Sequence, residues 1–254
     1  MGSFSHEAAS KLIGELKPKP TITEVFESVS KSSDSLGVVP IENSLEGPVN
    51  ESLDRLYFND NLYVNYEIEV PIKLVLAKSR AAKEVERIYS HMHAIQEARD
   101  FLERIRVREV VPVQSTSRAA EMASMDERSA AICSEFAAKL YGLDVIQDNL
   151  TGDLVNITRF VVISKNLAYS GNKTMLFFTV EHKPGSLYRA LSNFQKHSIN
   201  LTMIYSRPMR SIPWHYYFFV EFEGSLDQDV VKRATGGLKE AVTELKIKGS
   251  YSRL

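Results

Sequence analysis

Short apolar runs alternating with helical stretches constrain the first two thirds of this chain. Residues 36–41, 72–76, 110–113, 130–133 and 160–163 are almost continuously apolar, the pattern of strands covered by helices on both faces. Amphipathic stretches at residues 6–16, 50–56, 94–104, 117–125 and 135–141 alternate with them. The alternation predicts an α/β region, whose ligands sit outside the carboxyl ends of the strands.

A polar break over residues 165–173, containing Gly171 and Asn172, separates this region from a differently patterned remainder. Residues 174–180, 201–205 and 214–222 are rich in β-formers, and 246–251 is a weaker strand candidate. Leu187, Leu191 and Phe194 form one helical stripe after Pro184-Gly185-Ser186. Val230, Ala234, Leu238, Val242 and Leu245 form another, with Gly236-Gly237 inside it at a cost of about 1 kcal/mol per Gly relative to Ala. The order βαββαβ predicts an α+β ferredoxin-like domain.

Charge excludes several function classes. With 31 Lys plus Arg against 32 Asp plus Glu and a formal charge of -1, no basic field is available for nucleic acid or an anionic membrane. Apolar stretches fall well short of the ~20 residues of a membrane helix. A single cysteine, Cys133, and no signal-peptide pattern point to a cytoplasmic protein. His91 and His93 stand two apart without further clustered ligands, so no metal is expected. Phosphate-loop and dinucleotide fingerprints are absent, so no cofactor is expected.

Polar side chains recur where apolar runs end. Glu42-Asn43-Ser44 follows Ile41, Ser90-His91 follows Tyr89, and Gln114-Ser115-Thr116 follows Val113. Helix capping explains any one of them, whereas three at equivalent places point to a polar crevice. Asn156-Ile157-Thr158-Arg159-Phe160 enters the last strand of the region.

These segments, in this order, resemble prephenate dehydratases along nearly the whole chain. Gly2-Ser3-Phe4-Ser5, Val39-Pro40-Ile41-Glu42-Asn43-Ser44, Ser90-His91, Ser115-Thr116 and Thr158-Arg159-Phe160 are similar to that family's motifs. Gly185-Ser186-Leu187-Tyr188 and Ser206-Arg207-Pro208 resemble motifs of its ACT regulatory domain. Departures from the usual pattern are a start directly at the Gly-Ser-Phe-Ser motif with no strand ahead of it, Met92-His93 for Pro-Gln, Glu97 for Gln, and Tyr205 for Glu.

The resemblance implies a two-lobed, periplasmic-binding-protein-like catalytic region over residues 1–166, with lobes 1–70 plus 152–166 and 71–151, followed by an ACT domain over 172–254. It implies conversion of prephenate to phenylpyruvate, a hydro-lyase reaction, with L-phenylalanine as effector and a homodimer or homotetramer as the assembly. Thr158 is then the catalytic residue. Arg159, Phe160, Ser3, Phe4, Asn43, Ser44, Ser90, His91, Ser115 and Thr116 would contact substrate, His91 doubling as a proton relay. Gly185, Ser186, Leu187, Asn200, Leu201, Thr202, Ser206 and Arg207 would form the effector site. Thr158 and Arg159 are neighbours in a strand, so they share a ligand only if the backbone there is irregular or at a strand end. Rival readings are an arogenate dehydratase, whose substrate carries an amine in place of the keto group, and a binding module without turnover.

Overall fold

The computed structural model describes residues 1–152, 155–209 and 212–254. In chain order its elements are α1 Phe4–Ala9, α2 Ile22–Lys31, β1 Gly37–Asn43, β2 Gly47–Pro48, α3 Asn50–Phe58, β3 Tyr63–Pro71, β4 Leu74–Ser79 and β5 Arg87–His91. There follow α4 Met92–Glu97, α5 Arg99–Arg104, β6 Glu109–Val113, α6 Thr116–Met125, β7 Ser129–Ser134, α7 Glu135–Leu140, β8 Leu143–Gln147 and β9 Ile157–Ser164. The chain closes with β10 Lys173–Thr179, α8 Ser186–Lys196, β11 Leu201–Pro208, β12 Tyr216–Glu223, α9 Asp229–Ala241 and β13 Glu244–Arg253. They fall into two compact units, one of Met1–Pro18, Asn43–Glu46 and Glu69–Thr158, the other of Lys19–Glu42, Gly47–Ile68 and Arg159–Leu254.

The first unit carries a five-stranded mixed sheet in the order β6-β5-β7-β4-β8. Its continuous apolar strands are covered on both faces, as their composition requires. Val75, Ala77, Ala131 and Cys133 face α6 and α7, whose Ala119, Ala120, Ala123, Ala137 and Ala138 let helix and sheet approach closely. Leu74, Leu76, Ala130 and Ile132 point the other way, against Ala94, Ala98 and Phe4. Cys133 is fully enclosed and burial pushes its thiol up to about 12, so it is an inert core group.

The second unit is built on an eight-stranded sheet, β11-β12-β10-β13-β3-β9-β1-β2. The predicted βαββαβ order is present as β10-α8-β11-β12-α9-β13. Leu176, Phe178, Val220 and Phe222 pack under α8 and α9. Alternate residues Met175, Phe177, Tyr217 and Phe219 join Phe26, Val29, Val39, Leu53, Leu56 and Tyr57 in a single cluster. β13 also pairs in parallel with β3, Ser252 opposite Tyr66 and Arg253 opposite Glu67. The break at residues 165–173 therefore does not end a core, and the C-terminal module shares its sheet and its interior with residues 19–68. With about 1.5–3 kcal/mol for each large apolar side chain buried, cutting the chain at that break would expose much of this cluster.

Local differences from the sequence reading have local causes. The first helix ends at Ala9 with Ser10 as its C-cap, ahead of Gly14 at a φ of 141°. The stretch expected over 94–104 is two helices, broken at Ala98. Helix α2 was not expected, since Ile22, Thr23, Val25 and Val29 lower helix propensity, yet Thr21 caps its start, its Oγ1 accepting Glu24 N–H at 3.2 Å. Strands β3 and β8 were also missed.

The glycine pair inside α9 divides into two cases. A Cβ on Gly237 would lie 2.5 Å from Asn193 Oδ1 on α8, so that position is kept small by helix packing, whereas a Cβ on Gly236 would meet open space. Gly236→Ala is expected to stabilise the protein by about 0.5–1 kcal/mol and Gly237→Ala to give no gain, as read by thermal unfolding.

Candidate active site

Asn43, at the end of β1, organises the polar cluster of the first unit. Its Oδ1 accepts the backbone N–H of Leu45 at 2.9 Å and of Glu46 at 3.0 Å, which fixes the orientation of the amide. Both hydrogens of Nδ2 are then directed, one to Asn156 Oδ1 at 2.7 Å and one to Thr158 Oγ1 at 3.0 Å. Ser44 ties the same segments together, its Oγ donating to Val155 O at 3.2 Å and accepting Ile157 N–H at 2.9 Å.

The polarity of this arrangement decides what Thr158 can do. Its oxygen already accepts a hydrogen bond from Asn43, so its single proton is left to donate elsewhere. An amide N–H on the oxygen withdraws electron density from it. That makes the hydroxyl a better donor and a poorer nucleophile. Thr158 is half-buried, one residue inside the start of β9.

A second group of titratable side chains adjoins this cluster. Asn156 is buried and its Nδ2 makes a long 3.5 Å contact to Glu97 Oε2. Burial holds the Glu97 carboxyl above its ordinary range and Glu46 adds to this, against the opposing effects of Asn156 and His93. His93 Nδ1 lies 3.2 Å from Glu46 Oε1. His91 caps α4, accepting His93 N–H at 3.4 Å, so its Nδ1 is engaged in capping.

The other expected substrate contacts are held more locally. Ser3 caps α1 and Ser115 caps α6 by accepting the N–H of His6 and Arg118 at 3.2 and 3.0 Å. Thr116 opens α6, and Phe4 packs on the core under β4 and β7. Two of the expected contacts are enclosed. Ser90 has no exposed surface and donates to Ile132 O at 2.8 Å, and Phe160 is buried within its strand, so both side chains support the sheet.

Arg159, the expected substrate contact beside Thr158, is held by a cluster of carboxylates. In the second unit its guanidinium donates to Glu42 Oε2 at 2.8 Å, to Glu67 Oε2 from Nε at 3.2 Å and Nη2 at 2.6 Å, and to Glu221 Oε2. Lys173 Nζ stands 3.2 Å from Glu67 and 3.8 Å from Glu221. Thr202 and Tyr251 each donate to Glu221 at 2.6 Å. Burial would raise the Glu221 carboxyl, but Arg159, these hydroxyls and Lys173 together hold it below its ordinary value. A guanidinium committed to three carboxylates has little left to grip a fourth, so Arg159 organises the interior of the second unit.

The expected effector residues divide similarly. Thr202 is spent on Glu221. Arg207 makes a two-pronged ion pair with Asp54 of α3, at 3.0 and 2.7 Å, and Tyr217 donates to the same carboxylate. Gly185 stands at a φ of 82° as the N-cap of α8, a left-handed conformation that glycine adopts without strain. Ser186 and Leu187 line a cavity of about 340 Å³ with His182, His215, Tyr216 and Phe218. Asn200, Leu201 and Ser206 are not part of that lining.

Sequence reasoning missed Glu67, Glu221, Lys173 and Asp54. Glu221 had a readable signal, a carboxylate inside Phe218-Phe219-Val220-Glu221-Phe222, where an unpaired charge is too costly to bury. Among the described residues no group of three or more His, Cys, Asp or Glu could hold a metal, and no helix is long and apolar enough to cross a membrane.

An α/β region with an oriented hydroxyl and amide cluster near a strand start, in a chain that also carries a βαββαβ module, fits a small-molecule enzyme. The family model described as prephenate dehydratase matches residues 1–168. The chain belongs to the prephenate dehydratase family. It is 40% identical over 258 residues to a bifunctional chorismate mutase/prephenate dehydratase of Aquifex aeolicus, covering 99% of this chain and 71% of that protein. The prephenate dehydratase of Arthrobacter aurescens, solved in complex with L-Phe, superposes with a TM-score of 0.88 at 29% identity, covering 99% of this chain and 87% of that one. A structure described as a novel type of quorum quenching acylase, GqqA, superposes equally well, TM-score 0.88 at 25% identity, covering 100% and 95% of the two chains.

Proposed function

We propose that this protein converts prephenate to phenylpyruvate by coupled loss of carbon dioxide and water. The electrons of the breaking ring–carboxylate bond enter the ring, the ring C–O bond breaks opposite, and the departing oxygen leaves as water once protonated. Thr158 donates its hydrogen bond to that oxygen, and Asn43 holds the threonine so that its proton points outward. A threonine hydroxyl is too weak an acid to give up its proton alone, so the bond stabilises developing negative charge while solvent supplies the net proton. The departing carboxylate loses its charge in the transition state, and a cation clamped on it would stabilise the ground state instead. Arg159, engaged by three carboxylates, does not act as such a clamp.

The amide donated into Thr158 Oγ1 is the observation that carries this reading. Thr158 is polarised away from the nucleophile role that covalent acyl transfer asks of a hydroxyl, and Cys133 is enclosed with its thiol pushed up to about 12. The test is incubation with prephenate followed by phenylpyruvate absorbance in alkali. Turnover supports the reading, and none in a folded sample contradicts it.

The same proposal gives the C-terminal module an L-phenylalanine site at the entrance to α8, in a homo-oligomer. Its support is the left-handed Gly185 and the cavity beside Leu187, together with the ligand in the Arthrobacter relative's description. Leu187→Ala removes apolar contact of about 1–3 kcal/mol and is expected to raise the L-phenylalanine concentration for half-maximal inhibition roughly fivefold or more, leaving turnover without effector unchanged. An unaltered inhibition curve would place the effector elsewhere.

A further inference from the structure

The position of Glu97 exceeds what holding a helix end requires. It is the last residue of α4, half-buried, and its carboxylate lies against Asn156, which is bonded to Asn43, which is bonded to Thr158. Every amide in this ladder has a fixed sense. Asn43 must donate because its oxygen is filled by two backbone N–H groups, so Asn156 accepts through Oδ1 and turns its NH₂ toward Glu97. An acceptor at position 97 completes the ladder, and a neutral amide oxygen would serve equally well. A carboxylate there adds only one thing, a negative charge near the place where the substrate must bind.

Among the described residues no lysine or arginine is paired with this charge. The charged groups acting on Glu97 are Glu46, from the turn after β1, and His93, itself 3.2 Å from Glu46. On the elements packed against α4, Arg99 of α5 is paired with Glu103, Arg104 of α5 donates to the backbone carbonyl of Asp100, Arg87 of β5 is paired with Glu109 of β6 and with Asp126, and His91 is engaged in capping. Prephenate carries two carboxylates and no cation, whereas arogenate carries two carboxylates and an ammonium group.

We propose that Glu97 is a charge-selecting positioning residue: it orients the Asn156–Asn43 pair that holds Thr158, and as a carboxylate it opposes a doubly negative substrate, so prephenate binds best with a proton on Glu97. This rests on the dehydratase reading. Prephenate binding above the Glu97 titration then takes up one proton from solvent onto a Glu97 oxygen. The direction in which burial moves this carboxyl brings its titration toward the working range.

The test is KM and kcat for prephenate and arogenate between about pH 5.5 and 8, where both substrate carboxyls are already ionised. In the wild-type protein KM for prephenate should rise with pH by roughly five- to thirtyfold, and KM for arogenate, with half the net charge, by less. In Glu97→Gln the ladder keeps its acceptor, so KM should become flat with pH while kcat stays within about twofold, and prephenate should gain over arogenate at pH 8 by roughly the same factor. Glu97→Asp should keep the pH dependence, and Glu103→Gln, which removes an equal charge on exposed α5, should leave the profile as it was. A wild-type KM that does not rise, a rise that survives in Glu97→Gln, or a loss confined to kcat would overturn the proposal. A wild-type protein that yields no phenylpyruvate overturns the dehydratase reading itself, a result visible before any variant is made.

Discussion

Replacing Thr158 with valine, which keeps the shape and deletes the hydroxyl, is expected to lower kcat by roughly 100- to 10,000-fold with little change in KM. The size follows from the leaving group. Hydroxide departs poorly near neutral pH, and the hydrogen bond to it strengthens as charge develops, so its loss falls on the transition state. Thr158→Ser keeps the hydroxyl and should recover much of the rate. Asn43→Ala should behave as a milder version of the valine variant, because the threonine remains but its proton is no longer directed by the amide at 3.0 Å. Steady-state kinetics on prephenate checks the series, and a valine variant within threefold of wild type would remove Thr158 from the chemistry.

Arg159→Met should act mainly on stability. Glu67 and Glu221 are almost fully enclosed, with side-chain exposures of 3% and 1%, and removing the guanidinium leaves two buried carboxylates to a single lysine. Breaking a buried pair from one side costs about 3–5 kcal/mol, or roughly 10 °C in Tm for a chain of this size. Glu221→Gln should cost less, and it should change the pH dependence. Since the folded protein holds Glu221 below its ordinary value, the stability it contributes is present above that ordinary value and is lost as pH falls through the folded one. Wild-type protein should therefore lose stability on acidification more steeply than Glu221→Gln. A Tm for Arg159→Met within about 2 °C of wild type would show that the cluster contributes little.

The parts of the fold legible in the sequence were those whose pattern is local. The apolar runs of β4, β6, β7 and β9 and the stripes of α8 and α9 announce themselves by period, and the βαββαβ order follows from them. What sequence could not show is that the C-terminal module is continuous in sheet and core with residues 19–68, since the pairing of β13 with β3 joins residues almost 190 apart. The site was legible to a similar degree. Asn43 and Thr158 stood out as polar residues beside apolar runs, but Asn43, Asn156 and Thr158 meet only across more than 110 residues of chain. The partners of Arg159 were out of view for the same reason, because its three carboxylates come from β1, β3 and β12. Glu97 lay in view as an unusual residue, and only the ladder of amides beside it gives that residue a task.

The central claim is that Asn43 aims the hydroxyl of Thr158 at the oxygen that leaves. A crystal structure of the protein with an unreactive prephenate analogue that retains the ring hydroxyl tests it directly. The account predicts that oxygen about 2.7–2.8 Å from Thr158 Oγ1, with Asn43 Nδ2 still bonded to the same Oγ1. An analogue seated with its hydroxyl on another group, and Thr158 turned away from it, would contradict the account.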